Sequence, residues 1–535
     1  MKKIFLLAIL GIASLFTVVN ARNTTVPFDG DLAQVLSNAE SGDTLLVQAG
    51  TFIGNFTMKD GVQVSGGWDE TFSTQTQYGT ILDAQGNGRV LNQETAFETP
   101  TYWENLTIQN GGSETALSDK GGFGVHLQGN GGLRNCLVQN NKFTGDSGES
   151  QGGGVRVDGA DATFVALENC IIKGNQGTHA GGVLLSKGTM TNCIVEENTT
   201  TNNAAGGVTV QDGSFLLNSI IRYNTPKGDF GGVRVRTATS CTVANCLIYG
   251  NKADGGKTVG GLGINDAAVH YVYNNTIVGN IQTSTSNTSR CGLRVNVSTA
   301  SVIANNIVWG NKVNDEVQAE QVEFKSDYKK GQAANFINNA VVLAETFGTN
   351  TMLLTDVDPG FVNAAEADYT LAPNSSLIDA GADAYAQGEF DLAGKARIQG
   401  LHVDLGAYET EMIVLTVAAY ENAGAKMDAD TLEAGDYYVA KGKEVFFSVT
   451  AAEGYYIEVV KLNNDTIGEN SEAVVVPATL TEDATLLIVT KKQSGTALIN
   501  AKANKDATKA KKVMVNGQLV VVKDNARYNV LGVKL

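Results

Sequence analysis

Apolar and polar positions follow a repeating order between residues 103 and 339. The order is clearest at residues 169–175, where an Asn, a small residue and two aliphatic residues are followed by a second Asn six positions after the first. We name the first residue of this phrase the lead Asn. It recurs at intervals of 23 to 34 residues, at Asn105, Asn135, Asn169, Asn192, Asn218, Asn245, Asn274, Asn305 and Asn338. A period in this range predicts a solenoid in which each repeat forms one coil.

The residues around the lead Asn indicate strands. Aliphatic residues stand two positions before it, at Leu133, Leu167, Met190, Leu216, Val243, Val272 and Ile303, and three positions after it, at Val138, Ile172, Val195, Ile221, Ile248, Ile277 and Val308. Short β-branched runs bounded by Gly and Asn are typical of strands. We therefore predict an all-β fold: a right-handed parallel β-helix solenoid, followed by a small β-domain and a short C-terminal β tail.

The lead Asn has a structural explanation in such a fold. Coils stacked about 4.8 Å apart place like residues above like. An Asn at a bend can satisfy turn backbone groups and can also bond along the stack. We predict a structural Asn ladder formed by Asn135, Asn169, Asn192, Asn218, Asn245, Asn274 and Asn305.

The start of the chain is typical of an exported protein. Residues 1–21 have the basic start, apolar run and small-residue end of a secretory signal peptide. No later stretch is apolar enough to span a membrane. We expect a protein that is secreted or lies at the outer cell surface.

Changes in composition and in the pattern of predicted strands divide the remaining chain into segments. The predicted solenoid covers residues 22–410, with an N-terminal cap at 27–50 and a closing region at 346–410. Residues 411–490 alternate like the strands of a separate small β-rich domain. Residues 491–535 form a basic linker and tail.

Several of these segments resemble known bacterial proteins. The opening residues 42–45, the Gly-Gly and Asn-Cys coils, and the closing residues 403–409 resemble secreted and surface β-helix proteins of bacteria. These are related in fold to pectate lyases and to polymorphic outer-membrane repeat proteins. The resemblance covers roughly residues 27–410 and implies an architecture, because the matching motifs are turn and cap elements.

The C-terminal segments have resemblances of their own. Residues 411–490 are similar to β-rich modules of bacterial surface proteins. The tail resembles the sorting tails of Bacteroidetes proteins exported by the type IX route, although it is short for that family. The alternative is that the tail forms a last hairpin of the 411–490 domain.

The charge of the chain is unevenly distributed. The formal charge of the chain is −17. Residues 1–21 carry two Lys, and residues 491–535 carry ten Lys or Arg and two Asp or Glu, so the body at residues 22–490 carries about −27. An acidic body argues against nucleic acid as a partner, because nucleic-acid binding needs phosphate-neutralising surface. The basic charge of the tail suggests that this segment has a function separate from that of the body.

Four cysteines occupy one repeat column, directly after the lead Asn: Cys136, Cys170, Cys193 and Cys246. We interpret the column as a stacked file of small residues. A Cys170–Cys193 disulfide is possible at coil spacing but is not required. No zinc-binding pattern occurs, and we predict no metal site in this column.

A candidate binding strip lies on the strands that follow Gly-Gly. Their outward positions predict a polar strip with basic members, from which we select His126, Arg156, Asp158, Arg234, Arg236 and Arg294 as ligand-binding residues. Arg gives bidentate contacts to carboxylates. The alternative is that outward strand positions are polar in any case.

A second outward column, two positions after the lead Asn, is unusually apolar. It contains Leu137, Ile171, Ile194, Ile220, Leu247 and Ile307, and is interrupted by Thr276. If it faces outward it needs a cover, from a loop, the 411–490 domain or another protein. If the strand pair is more deeply buried, the column is core, and this is the interpretation we favour.

The sequence contains no coherent catalytic constellation, and we assign no catalytic residue. The leading hypothesis is an adhesin-like β-helix protein that binds a polysaccharide, a surface glycan or another surface, without a cofactor. One alternative is a polysaccharide lyase or glycoside hydrolase, with Arg156 or Arg234 as base or carboxylate clamp and calcium as the cation. Another is a structural spacer at the cell surface, and a protein partner is also open.

Overall fold

In a computed structural model the described residues are 22–145, 151–201, 204–254, 259–265, 268–283, 292–296, 300–355 and 357–493, with strands at 511–515, 518–523 and 526–528. The predicted signal peptide at 1–21 and most of the basic linker lie outside them. The chain divides into two compact units, Met1–Met412 with Tyr438–Lys443, and Ile413–Tyr437 with Glu444–Leu535. Among the described residues no helix is long and apolar enough to cross a membrane.

The first unit is a parallel β-helix in which each coil contributes one strand to each of three long sheets. We name them sheet I, which holds the strands after Gly-Gly, sheet II, which precedes the lead Asn, and sheet III, which follows it. Every pairing between successive coils in these sheets is parallel, as between Val183–Ser186 and Val208–Gln211. Strand Val125–Arg134 bends from sheet I into sheet II.

The strands have the following bounds. Sheet I contains Phe56–Thr57, Leu91–Asn92, the first part of Val125–Arg134, Val155–Asp158, Val183–Ser186, Val208–Gln211, Val233–Arg236, Leu262–Asn265, Leu293–Asn296 and Val322–Phe324. Sheet II contains Asn23–Val26, Thr44–Gln48, Gln63–Trp68, Phe97–Glu104, the second part of Val125–Arg134, Val165–Glu168, Thr189–Thr191, Phe215–Leu217, Thr242–Ala244, Tyr271–Tyr273, Val302–Ala304 and Phe336–Ile337. Sheet III contains Gly50–Ile53, Thr80–Asp83, Leu106–Gln109, Leu137–Gln139, Ile171–Lys173, Ile194–Glu196, Ile220–Arg222, Leu247–Tyr249, Thr276–Val278, Ile307–Trp309, Ala340–Val341 and Met352–Leu353.

Shorter elements complete this unit. Two stacks of short strands follow sheet III, at Gly112–Ser113, Lys142–Phe143, Gln176–Gly177 and Thr199–Thr200, and at Lys252–Ala253, Ile281–Gln282, Lys312–Val313 and Glu316–Val317. Helix α1, Leu32–Asn38, lies within the predicted cap at 27–50. Its N-cap is Asp31, whose side chain accepts a hydrogen bond from the Gln34 N–H. Helix α2 is Ser326–Gly331, and 3₁₀ turns lie at Ala333–Asn335, Ala364–Glu366 and Asp383–Tyr385.

The interior of the coils is the continuous core that the repeat predicted. The aliphatic columns two before and three after the lead Asn, such as Leu167 and Ile172, are at most 1% exposed. Side chains alternate across each strand, so these positions point inward while their neighbours point out. The all-β prediction is confirmed.

The lead Asn and the second Asn of the repeated sequence, six positions later, have different structural roles. Every lead Asn from Asn105 to Asn338 has a positive φ, between 43° and 59°, so it forms the bend between sheets II and III in the left-handed conformation that Asn tolerates. In the predicted ladder, side-chain bonds along the stack occur between Asn245 and Asn218 (3.1 Å) and between Asn305 and Asn274 (3.4 Å).

The continuous amide ladder lies six positions after the lead Asn. Its members are Asn141, Asn175, Asn198, Asn224, Asn251, Asn280 and Asn311, all 0% exposed. At each step the Oδ1 atom accepts bonds from the N–H and the Nδ2 of the preceding coil, as Asn198 does from Asn175 at 2.9 and 3.0 Å. Gly182 is required beside this ladder, because a Cβ there would lie 2.6 Å from Val195 and 3.0 Å from the Asn198 Nδ2.

The cysteine column is a buried file of small residues, as predicted. The five described cysteines, Cys136, Cys170, Cys193, Cys241 and Cys246, are free. The Cys170 N–H lies 3.4 Å from the Cys193 Sγ, and from Cys246 onward the same positions are linked by Asn275 and Asn306. Burial raises the pKa of the Cys246 thiol to about 12, so this thiol stays protonated and unreactive.

The closing region folds back over the outer face of sheet III. Strands Phe361–Asn363 and Asp368–Leu371 form an antiparallel pair, and side chains from this region pack on Leu247 and Ile307, which are 2% and 1% exposed. The favoured interpretation of the apolar column as core is therefore wrong: the column faces outward and is covered at these coils. At Leu137, Ile171, Ile194 and Ile220 it is only half-buried.

The closing region contains a buried cluster of ionisable side chains. Arg397, Asp391, Asp404 and Glu409 are each at most 4% exposed, and the Arg397 Nη1 lies 3.2 Å from the Glu409 Oε1. Asp391 and Asp404 accept backbone N–H bonds from neighbouring turns, including Glu409 and Asp379. The closing motif is thus held together by polar contacts in a place where water is excluded.

The second unit is built from antiparallel and mixed sheets. A five-stranded sheet contains Gly435–Ala440, Met412–Val417, Ala484–Lys492, Tyr455–Leu462 and Asp465–Ser471 in that order, and a four-stranded sheet contains Asp430–Leu432, Ala423–Met427, Lys443–Ala451 and Ala473–Leu480. The tail strands Lys511–Val515, Gln518–Lys523 and Ala526–Tyr528 form a separate antiparallel sheet. The tail is therefore not a last hairpin within either sheet of this unit.

Candidate functional site

The selected residues lie on the outer face of sheet I, in two columns set by strand register. His126, Arg156, Leu184, Thr209, Arg234, Gly263 and Arg294 align in one column, and Gln128, Asp158, Ser186 and Gln211, then Arg236, Asn265 and Asn296, align in the other. We name this surface the sheet I strip. The structure brings His126, Arg156 and Asp158 together, whereas Arg234 with Arg236, and Arg294, lie further along.

The first part of the strip is a compact network around His126. Its Nε2 lies 2.9 Å from the Asp158 Oδ2, and its Nδ1 lies 3.2 Å from the Asp119 Oδ2. The Arg156 Nε donates to the same Asp158 oxygen at 2.7 Å, and its Nη1 donates to the Asp119 carbonyl oxygen at 2.8 Å. Each side chain is thereby fixed by at least one partner.

The sequence did not identify Arg89 and Asp119 as members of this network. The Arg89 Nη2 lies 2.7 Å from the Asp119 Oδ1, and the Arg89 Nε donates to the Gly122 carbonyl at 2.9 Å. Asp119 lies in a loop outside the repeat phrases, so no periodic signal marks it. An acidic residue seven positions before His126 was the only local hint.

Both carboxyls of the network are held in the charged form. Burial alone would raise the pKa of Asp119, but hydrogen bonds from Arg89 and the Gly121 N–H hold it well below its ordinary value. Burial likewise opposes ionisation of Asp158, and the bonds and charges of His126 and Arg156 outweigh it and lower the pKa. The two carboxylates and the guanidinium groups of Arg89 and Arg156 thus form ion pairs at neutral pH.

This arrangement limits the chemistry available at Arg156. A base in a lyase reaction must first be deprotonated, and an Asp158 carboxylate at 2.7 Å stabilises the protonated guanidinium. The carboxylates of the strip also do not fit a calcium site, since Asp119 and Asp158 already face Arg89, Arg156 and His126. Among the described residues no group of three or more His, Cys, Asp or Glu is arranged as a metal site.

In the middle of the strip Leu184, Ser186 and Thr209 are 4–7% exposed, and the exposed side chain is that of Arg236. Arg234 and Arg236 point to the same side of one strand, and Arg236 is exposed. The Arg234 guanidinium lies 5.2 Å from the centre of the Phe230 ring, within the range of a cation–π contact. The same ring covers Gly263, where a Cβ would lie 2.2 Å from Phe230, so the ring needs a glycine in the next coil.

The last part of the strip ends in a small groove. The Arg294 Nε lies 3.3 Å from the Glu323 Oε2. Beyond Glu323 a groove of about 220 Å³ is lined by Phe324, Lys329 and Phe347 among others. The strip thus continues from a charge network, through the half-buried Arg234 and the exposed Arg236, to a groove near the last coil.

One comparison with known proteins, the match to a family model, agrees with the fold. Residues 153–341 match the family model described as right handed beta helix region, which supports the predicted hand. No curated protein matches the chain significantly. Among solved structures, pectate lyase Pel9A is 13% identical with a TM-score of 0.33, over 73% of this chain and 97% of that one. A tailspike protein, gp49 of Acinetobacter baumannii bacteriophage Fri1, a capsular polysaccharide depolymerase, is 12% identical with a TM-score of 0.28, over 92% of this chain and 78% of that one.

Proposed function

We propose that this chain binds an acidic polysaccharide along the sheet I strip and holds it without cutting it. The observation that carries this proposal is the pair Arg234 and Arg236, which face outward from one strand with Arg236 exposed. Guanidinium groups give planar, bidentate contacts to carboxylate or sulfate. Two of them within one strand suit a polymer with repeated anionic groups.

The remainder of the strip has the length and chemistry for a polymer. Arg156 and Arg294 are five coils apart, about 24 Å at the spacing of stacked strands. Between them Gln211 and Asn265 are partly exposed, and their amide groups can bond to sugar hydroxyls, whereas Ser186 is 7% exposed and donates to the Asp212 Oδ2 at 2.7 Å. An extended glycan lying across the coils would meet cationic and neutral hydrogen-bonding groups in turn.

The acidic body does not prevent this binding. Charges further than about 8 Å away are largely screened at physiological ionic strength, so contacts at the guanidinium groups decide the affinity. The net charge slows the approach of every polyanion, the polysaccharide included, and does so less as the ionic strength rises. Selectivity would therefore come from close contacts along the strip rather than from long-range attraction.

The binding function is tested with acidic and neutral polysaccharides and two variants. Arg234→Gln/Arg236→Gln should weaken binding of polygalacturonate, alginate or chondroitin sulfate at least tenfold, because charge-assisted hydrogen bonds contribute about 1.5–3 kcal/mol each. Arg134→Gln, an outward arginine of sheet II, is the matched control and should bind as the parent does. Retention on immobilised polysaccharide measures the effect.

The same incubation separates the alternatives. New unsaturated sugars or reducing ends would overturn the binding-only proposal in favour of a lyase or hydrolase, and calcium would be included for that reason. Equal binding by the parent and the Arg234→Gln/Arg236→Gln variant would place the glycan elsewhere. If the protein neither binds the polysaccharides nor releases products from them, the structural-spacer hypothesis is the one that agrees with the result.

We further propose that the protein acts outside the cell. The proposal rests on the signal-like residues 1–21 and on the basic tail at 491–535. Deletion of residues 491–535 should abolish display at the cell surface, measured by antibody labelling of intact cells, while leaving the folded β-helix intact. Unchanged labelling of intact cells would contradict a sorting role for the tail.

A further inference from the structure

The lead Asn side chains of the later coils hold the backbone of the closing region. Asn338 donates to the Ala380 carbonyl (2.9 Å), Asn305 to the Ala382 carbonyl (3.0 Å), Asn245 to the Gln387 carbonyl (2.7 Å), and Asn218 to the carbonyls of Phe390 (3.2 Å) and Asp391 (3.1 Å). Asn274 donates instead to the Asp404 carbonyl (3.2 Å), and for the other four the contacted residue numbers rise as the Asn numbers fall. Residues 380–391 therefore run along the β-helix axis toward the earlier coils.

The first lead Asn makes the same kind of contact with another segment. The Asn105 Nδ2 donates to the Gly66 and Thr76 carbonyls at 2.9 and 3.3 Å, and its Oδ1 accepts from the Tyr78 N–H at 2.9 Å. At both ends of the column, then, the side chain at the bend binds the backbone of an irregular segment that lies along the outside of the coils.

Between these two covered stretches lie three coils whose lead Asn residues are exposed. Asn135, Asn169 and Asn192 make no side-chain hydrogen bond with another described residue. The apolar column beside them continues through Leu137, Ile171, Ile194 and Ile220, each half-buried. We name these seven residues the Asn window. It spans about 14 Å along the axis at the spacing of stacked strands.

The charges beside the window are already paired. Lys173 lies 3.1 Å from Glu196 and 3.3 Å from Glu197, Arg222 lies 2.6 Å from Glu196, and Arg134 lies 2.9 Å from Glu168. The border therefore favours neither an anionic nor a cationic ligand. What the window offers is a row of amides next to a row of aliphatic side chains.

We propose that the Asn window binds an extended polypeptide segment of a partner protein, lying along the β-helix axis. The three amides would bond to its backbone, and its alternate apolar side chains would cover the aliphatic column. The same column already binds peptide backbone on both sides of the window, which favours a polypeptide over a glycan. This site lies on sheets II and III and is independent of the sheet I strip.

The test is selection from a displayed library of random 12-residue peptides against the full chain. Selected peptides, synthesised and labelled, would be measured by fluorescence anisotropy with the parent and two variants. Asn135→Gly/Asn169→Gly/Asn192→Gly removes the amides and keeps the positive φ that glycine tolerates. Ile171→Thr/Ile194→Thr replaces two aliphatic side chains of the window by threonine. Threonine already occupies this column at Thr107 and Thr276, so the strands tolerate it.

We expect apolar-rich peptides whose binding falls at least tenfold in each variant. Ile53→Thr, at a 64% exposed position of sheet III outside this column, is the matched control and should leave binding unchanged. Thermal unfolding followed by circular dichroism verifies that all variants fold.

Three results would overturn the proposal. One is a selection that yields no peptide sensitive to the window variants. Another is binding of a neutral or acidic glycan that the window variants abolish. The third is self-association in sedimentation that the same variants disrupt, which would assign the window to a second copy of this chain.

Discussion

Asn198→Ala is expected to lower the free energy of unfolding of the β-helix by about 4 kcal/mol, although it removes only one small side chain. The Asn198 Oδ1 accepts from the N–H and Nδ2 of Asn175, and its Nδ2 donates to the Ile172 carbonyl and the Asn224 Oδ1, all at 2.9–3.0 Å. Truncation would leave the Asn175 N–H buried and unpaired, at a cost of about 1–3 kcal/mol. It would also remove one of two partners from the Asn175 Nδ2 and from the Asn224 Oδ1, and it would leave a cavity in the stack. Chemical denaturation monitored by circular dichroism measures the loss.

The same coil contains the matched control. Asn192 is the lead Asn six positions earlier, it is exposed, and it forms the bend with a φ of 55°. Asn192→Gly keeps that bend and buries no unpaired group, so it should change stability by only a few tenths of a kcal/mol. Equal destabilisation by the two variants would contradict the assignment of the ladder to the second Asn.

Raising the pH from about 5 to about 9 is expected to destabilise the closing region. Burial raises the pKa of Glu409 to about 9; the Arg397 charge opposes this shift, while the charge of Asp404 adds to it. An unfolded Glu titrates near 4.3, so between these values the unfolded chain loses a proton that the folded chain retains. Stability then falls with rising pH, with a limiting slope of about 1.4 kcal/mol per pH unit for one proton.

Glu409→Gln isolates this contribution. The amide has the shape of the protonated carboxyl but does not titrate, so the variant should lose most of the decline between pH 5 and pH 9. The pKa of the exposed His402 is raised by its bond to Asp383, which gives a smaller decline in the same direction that the variant keeps. Hydrogen exchange of residues 380–409 measures the effect locally, and a parent and variant with equal slopes would indicate that Glu409 is ionised beside Arg397.

The interior of the β-helix was predictable from the sequence because it is periodic. Inward positions such as Leu167 and Ile172 keep a fixed offset from the lead Asn, and every coil repeats the offset. The roles of the two Asn residues were harder to separate. Asn suits both a left-handed bend and a buried amide ladder, and both positions recur with the same period.

The features that the sequence did not predict depend on contacts that occur once and do not recur from coil to coil. Asp119 reaches His126 from a loop, and Asn218 meets Asp391 across 173 positions of the chain. The sequence did show that the column through Leu247 and Ile307 was too apolar for an open surface. It could not show which segment covers that column, since the closing region has no periodic link to the coils.

The contacts of residues 380–391 also constrain how the solenoid can change in length. This segment meets four of the lead Asn residues between Asn338 and Asn218, and the fifth, Asn274, meets Asp404. Insertion or loss of a coil in that stretch would therefore misalign these carbonyls and the Asn amides. An added coil between Asn135 and Asn192 would disturb no such match. The early coils are therefore the part of the molecule where repeats can be duplicated or deleted, and the later coils form a unit of fixed size.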